Sequence, residues 1–93
     1  MSKVFKGDIG TKLKFDIGVD ISDVVLAKVY YKKPSGTSGV WDASTESPTY
    51  VYYITQANDL DEVGIWRLQP YVELSSGWKG RGETVTLEVE EVV

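Results

Sequence analysis

The side chains able to do chemistry in this sequence are carboxylates and aromatic rings, because histidine and cysteine are both absent. Without histidine, neither a Ser-His-Asp triad nor a histidine-based metal site can be built. Without cysteine, thiolate chemistry and disulfides are excluded. A carboxylate pair for glycoside hydrolysis needs a cleft, which a chain of 93 residues seldom forms. We therefore predict that the protein is not an enzyme, with no catalytic residue and no cofactor.

Two clusters of carboxylates fall in predicted turns. Asp20 and Asp23 flank one turn, and Asp59, Asp61 and Glu62 crowd another. Loops at one end of a β-sandwich can converge on Ca²⁺, which takes about six to eight oxygen ligands. No loop here has the regular oxygen spacing of an EF-hand, and Asp commonly caps backbone amides in turns. Turn capping is therefore favoured over a metal site, and no metal ligand is predicted.

Two tryptophans, Trp41 and Trp78, are the side chains best suited to contact a partner, since neither falls on a clearly alternating face. Trp78 lies in a predicted loop with three glycines over residues 75–83. Exposed Trp is common both in interface anchors and in sugar-stacking platforms. The alternative is that each indole folds back over a sheet edge and closes the core. We predict an interface anchored by Trp78, with Lys79 and Arg81 as its polar rim and Trp41 as a further candidate.

Charge and hydropathy exclude two classes of partner. The net charge is −4 and the pI is near 4.7, and the ten Lys and Arg are scattered along the chain. A nucleic-acid-binding protein needs a basic face, so we predict no nucleic-acid role. No apolar run approaches the roughly 20 residues that cross a bilayer, nor the length of a signal peptide. The sequence predicts a soluble protein with no membrane partner.

Short strands must position these side chains, because helical periodicity is missing and Pro, Gly, Ser and Asp divide the chain into short pieces. In the alternating run 12–19 we predict that Leu13, Phe15, Ile17 and Val19 face the core. In the next strand the small residues Val25, Ala27 and Val29 are predicted to face inward. The predicted strands are 4–6, 12–19, 24–33, 40–43, 50–55, 65–72 and 84–89. Six or seven strands at this spacing, without an internal boundary, predict one all-β domain over residues 1–93: an immunoglobulin-like antiparallel β-sandwich, with an SH3-like or OB barrel as the alternative.

The segment from Glu62 to Leu68 carries the most information about the fold. In immunoglobulin-like domains, an acidic residue, a glycine and an aromatic residue turn the chain from one sheet into the other. Here the aromatic residue is Trp66 and the following core residue is Leu68. Gly64 fits a position where the backbone takes a positive φ or passes close to another strand. Gly64, Trp66 and Leu68 are therefore the predicted fold-defining residues.

Four short motifs, in order along nearly the whole chain, resemble the immunoglobulin-like domains of phage virion proteins. They are Gly7-Asp8, Asp20-Ile21-Ser22, Lys33-Pro34-Ser35-Gly36 and Leu60-Asp61-Glu62-Val63-Gly64-Ile65-Trp66. The sequence is similar in particular to the N-terminal domain of phage baseplate upper proteins.

This resemblance implies a structural or assembly module of a phage or prophage particle, associated with its tail, baseplate or head. The expected partners are other virion or phage assembly proteins, with self-association left open. The expected location is the virion, or the bacterial host cytoplasm during assembly. The alternative function is a carbohydrate-binding or surface-adhesion module that uses exposed Trp and Tyr.

Overall fold

A computed structural model, which describes residues 2–93, shows an all-β protein made of two sheets packed face to face. The strands are β1 Ser2–Phe5, β2 Lys12–Asp16, β3 Val24–Lys32, β4 Ser38–Asp42, β5 Ser44–Glu46, β6 Tyr50–Ile54, β7 Gly64–Leu74, β8 Lys79–Arg81 and β9 Val85–Glu90. The larger sheet has the order β1-β9-β7-β3-β4, with β8 also paired to β7, and the smaller sheet has the order β2-β6-β5. The predicted β-sandwich is thus confirmed. Within the described residues, no helix is long and apolar enough to span a bilayer.

Alternation in β2 places one face on the core, as its sequence predicts. Leu13 and Phe15 are buried, and Ile17 is buried just beyond the strand. The predicted inward orientation of Val19 is wrong, since this side chain is 39% exposed. The strand ends at Asp16, whose Oδ1 accepts a hydrogen bond from the N–H of Gly18, a residue with a φ of 81°. This turn breaks the alternation before Val19 is reached.

The long strands β3 and β7 form the centre of the larger sheet, and the buried side chains of β7 alternate regularly. In β3 the inward residues include Ala27 and Val29, as predicted, but Val25 is 65% exposed. A bulge between Val24 and Leu26 shifts the pairing with β7 there. Because a bulge adds one residue without a partner, the alternation that holds for Val29 does not extend back to Val25.

Two strands, β5 and β8, were not predicted from the sequence, because both are short and polar. β5 pairs with β6, although residues 44–46 were predicted as loop. It begins directly after β4, where the N–H of Ala43 still donates to the carbonyl of Ala27 and the chain then crosses to the smaller sheet. β8 pairs with β7 inside the segment 75–83, whose glycines are typical of a loop. The structure therefore has nine strands over residues 2–93 instead of six or seven, and β1 runs parallel to β9.

Trp66 is the largest fully buried side chain and lies at the corner that leads into β7. Its Nε1–H donates to the carbonyl oxygen of Glu62 at 3.0 Å, so that the indole is buried without an unpaired donor. Gly64 has a φ of 134°, and a Cβ at this position would lie 2.7 Å from Cγ of Pro34. Leu68 is 2% exposed. Backbone conformation and close approach both require glycine at position 64.

Aromatic rings join the two sheets at this end of the core. Trp41 on β4 stacks on Tyr53 of β6, with ring centroids 4.6 Å apart and planes 8° apart. The same indole lies 4.6 Å from the ring of Tyr31 and 6.2 Å from Trp66. Since offset stacking contributes beyond the area buried, this cluster fixes the position of β4 over the smaller sheet.

We predict that Trp66→Ala destabilises the protein by about 3–5 kcal/mol, because it removes a fully buried indole and leaves a cavity. Urea unfolding followed by circular dichroism measures the loss. Trp78→Ala is the matched control: Trp78 is 43% exposed, so its truncation should cost much less. Equal losses for the two variants would contradict the assignment of Trp66 as the core anchor.

Stability should also fall at alkaline pH through Tyr53. Burial raises the pKa of the Tyr53 hydroxyl well above its ordinary value of 10.0, and its hydrogen bond to Asp59 adds to the effect. The unfolded chain releases this proton near pH 10 while the folded chain retains it, so the free energy of unfolding decreases as pH rises above about 10. Tyr53→Phe should flatten this decrease in urea melts between pH 8 and 11. Tyr52→Phe is the control, and an identical slope in Tyr53→Phe and the wild type would contradict the prediction.

Candidate functional site

The carboxylates in the predicted acidic turns accept hydrogen bonds or form an ion pair within the protein. Asp20 accepts from the N–H of Ser22, which lowers the pKa of Asp20 below its ordinary value. The remaining acceptors and their partners are Asp23 with Ser75, Asp59 with Tyr53 and Gln56, Asp61 with Lys33, and Glu62 with Ser35. Over residues 2–93, no group of three or more acidic side chains is arranged to hold a metal. Asp20 and Asp59 therefore cap turns, while Asp23, Asp61 and Glu62 connect their turns to distant parts of the chain.

Of the two tryptophans predicted at an interface, Trp41 lies in the core. It occupies an inward position of β4, is 8% exposed and stacks between rings of both sheets, so a partner cannot reach it. Trp78 is half-exposed, and its indole fills the space that a side chain on Gly80 would occupy. Gly80 pairs with the buried Val72, so Trp78 covers the inner side of β8. Trp78 thus partly closes the sandwich, and only its outer edge is free.

Lys79 and Arg81 lie on the outer face of the larger sheet, opposite Glu73 and Tyr71 of β7. Their positions follow from alternation, because Gly80 between them faces inward. Arg81 is brought against two rings: its Cζ lies 4.4 Å from the centroid of Tyr30 and 4.9 Å from that of Tyr71. Of the predicted interface residues, Arg81 is the one that the structure places beside other potential binding groups.

The two tyrosines hold the Arg81 guanidinium in a defined position. Tyr30 and Tyr71 meet edge to face, with centroids 5.8 Å apart and planes 83° apart. The hydroxyl of Tyr71 donates to Oε2 of Glu73 at 2.7 Å, and this hydrogen bond raises the pKa of Tyr71. Each exposed cation–π contact contributes about 0.5–1 kcal/mol, enough to restrain a long side chain. The hydrogen-bond donors of the guanidinium remain available to an anion.

Lys32 and Arg67 face each other directly across the β3–β7 pair. Opposed side chains in an antiparallel pair have Cβ atoms about 4.5–5.5 Å apart, and like charges in this position are destabilising. Both side chains are exposed. Neither forms an ion pair with an acidic side chain anywhere in residues 2–93. The fold therefore contains a local repulsion that its own acidic groups leave uncompensated.

Most of the Lys and Arg side chains that form no ion pair within residues 2–93 lie on one surface of the protein. Of the ten Lys and Arg, five form ion pairs within the described residues: Lys3, Lys12, Lys14, Lys28 and Lys33. Four of the other five lie on the outer face of the larger sheet, namely Lys32, Arg67, Lys79 and Arg81. Unpaired positive charge is thus concentrated there, although the chain as a whole is acidic.

An open groove of about 370 Å³ runs across this face. We call it the cationic groove; it is lined by Tyr30, Tyr31, Lys32, Ser38, Gly39, Arg67, Gln69, Arg81 and Thr84. Gln69, which pairs with Tyr30, donates from Nε2 to the carbonyl of Gly82 and so fixes the floor. Among residues 2–93, no acidic side chain lines the groove. Its cations and aromatic ring are suited to bind a ligand that carries negative charge.

Sequence reasoning missed Tyr30, Lys32 and Arg67 as site residues. The alternation of β3 does place Tyr30 and Lys32 together on its outer face. What the sequence does not contain is the register of β3 against β7, which sets Lys32 opposite Arg67. Without that register, these cations are indistinguishable from ordinary solvent-facing strand residues.

Comparison with known proteins finds similarity among solved structures. No family model matches the sequence, and neither does any curated protein. Among solved structures, CopC from Methylosinus trichosporium OB3b is similar, with a TM-score of 0.66 and 14% sequence identity. The likeness covers 99% of this chain and 86% of the CopC chain. At this identity the likeness shows a shared β-sandwich fold.

The predicted role in a phage particle is wrong: a solved structure that this chain resembles over nearly its whole length is CopC, which is not a virion protein. The motifs behind that prediction have local structural explanations. Gly7 has a φ of 88° and Gly36 one of 96°, as their turns require. Asp20 caps the N–H of Ser22 in the same way that Asp residues cap turns in many β-proteins. Such turn signals indicate a sandwich and carry no information about its partners.

We predict that Lys32→Glu stabilises the fold by about 0.2–1 kcal/mol, because it replaces a like-charge cross-strand pair with an opposite-charge pair. Urea unfolding at low ionic strength measures the change. Lys6→Glu is the matched control, since Lys6 is also exposed and this substitution makes the same change in net charge. Loss of stability in Lys32→Glu, or an equal gain in both variants, would show that the repulsion with Arg67 is absent.

Proposed function

We propose that this protein is a non-enzymatic binding module that holds an acidic partner in the cationic groove. The observation that carries the proposal is the direct opposition of Lys32 and Arg67, with no acidic side chain among the described residues that line the groove. A carboxylate placed between the two would relieve their repulsion and accept hydrogen bonds from both. A bound carboxylate thus supplies the negative charge that the folded protein lacks between Lys32 and Arg67.

The charges around the groove favour a short acidic partner over a long polyanion. Acidic side chains on the same face lie beyond its ends: Asp42 next to Lys28, Glu73 next to Tyr71, and Glu88 next to Lys3. With a net charge of −4, the rest of the surface repels an extended polyanion. The positive region is therefore local, and it matches an acidic segment of a protein better than nucleic acid.

We expect a peptide of six glutamates to bind in the groove, measured by isothermal titration calorimetry at low salt. Lys32→Gln and Arg67→Gln should each weaken binding about tenfold, corresponding to about 1.4 kcal/mol for a lost charge-assisted contact. Binding should weaken further as salt is raised, because exposed charges are screened.

Lys6→Gln is the control, since it removes one positive charge away from the groove. A peptide of six glutamines tests the requirement for ligand charge. If the glutamate peptide does not bind, or if Lys6→Gln weakens binding as much as the groove variants do, the proposed function is wrong.

A further inference from the structure

We infer that the cationic groove recognises two carboxylates spaced two residues apart on an extended peptide. This inference rests on the proposed function and adds the geometry of the ligand. The groove contains two separate positions for negative charge, and their spacing is set by the strands beneath them. The occupant is an acidic segment of a partner protein.

The first anion position lies between the Lys32 and Arg67 side chains. The second is the Arg81 guanidinium, which lies over the ring of Tyr30. Tyr30 pairs with Gln69, and Gln69 is two residues beyond Arg67 on β7. Because a strand rises about 3.3 Å per residue, the Tyr30–Gln69 pair beneath the guanidinium lies about 7 Å along the sheet from the first position.

An extended peptide presents side chains with the same spacing. Residues i and i+2 of a strand lie on one side of the chain, about 7 Å apart. Two acidic residues separated by one residue therefore place one carboxylate at Lys32–Arg67 and the other at Arg81. In a helix, residues i and i+2 do not share a face, so a helical ligand would need a different spacing.

The ring of Tyr30 offers an apolar surface to a peptide in the groove. This side chain is 37% exposed, lies under the Arg81 guanidinium and is two residues from Lys32 on β3. A peptide group crossing from one acidic residue to the next contacts the ring, and Ser38 and Thr84 offer hydroxyl groups at the margin. The groove thus provides an apolar surface for the backbone and cations for both flanking carboxylates.

The test uses three short peptides of identical composition, each with two glutamates in a Gly/Ser background. The glutamates are adjacent, two residues apart or four residues apart. By calorimetry with the wild-type protein at low salt, the two-apart peptide should bind about tenfold tighter than the others. With Arg81→Gln, the three peptides should bind with equal, weaker affinity, because a single anion position remains.

Lys79→Gln is the matched control on the same strand, since Lys79 does not line the groove, and it should keep the spacing preference. Circular dichroism melts of each variant show whether the fold is retained. If Arg81→Gln fails to fold, Arg81→Lys serves instead, since it retains a charge but loses the planar stack on Tyr30, and it should reduce the preference.

The outcomes separate this inference from the proposed function. If the six-glutamate peptide binds through Lys32 and Arg67 but the three spaced peptides bind equally, the spacing is wrong and the proposed function stands. Preference for the four-apart peptide would mean that the two anion positions are farther apart, and it would overturn the two-residue spacing. Tighter binding of inorganic phosphate or a sulfated oligosaccharide than of the two-apart peptide would overturn the acidic peptide as occupant. Absence of binding by the six-glutamate peptide would overturn both proposals.

Discussion

Eight residue pairs join β3 to β7 in antiparallel register, and this pairing determines both faces of the larger sheet. On the inner face it brings Val29 and Val72 into a core closed by Trp66. On the outer face it sets Lys32 against Arg67. Because side chains alternate with a period of two, a slip of one residue would exchange the two faces of a strand. The core and the cationic groove are therefore consequences of one register.

The free energies of the two faces of the larger sheet show that the inner face determines the register of β3 and β7. Burial of a Trp side chain such as Trp66 is worth about 3–5 kcal/mol in truncation experiments, whereas one exposed cross-strand charge pair changes stability by about 0.2–1 kcal/mol. The inner face can thus impose a register that is unfavourable outside. The repulsion between Lys32 and Arg67 is small enough for folding to tolerate and large enough for a bound carboxylate to relieve. A local conflict of this kind is typical of a binding surface.

The sequence predicted the parts of this arrangement that depend on local pattern. The alternation in β2 and the corner at Gly64 and Trp66 are such parts, whereas the turn at Gly18, inside the predicted strand 12–19, was missed. The strands β5 and β8 were missed because their pairing partners, not their own residues, make them strands. For the same reason the groove could not be predicted: Arg81 approaches Tyr30 only because β8 pairs with β7 and β7 with β3. The likeness to CopC likewise became visible through the fold, at 14% identity.

An NMR titration of the isotopically labelled protein with the six-glutamate peptide shows whether the cationic groove is the binding site. It reports where the ligand lies as well as whether it binds. We expect backbone amide shifts to change over residues 30–32, 67–69 and 81–84, while those of β2 and β6 in the smaller sheet stay unchanged. Shifts confined to Trp78 or the smaller sheet, or no shifts at low salt, would contradict the assignment of the cationic groove as the binding site.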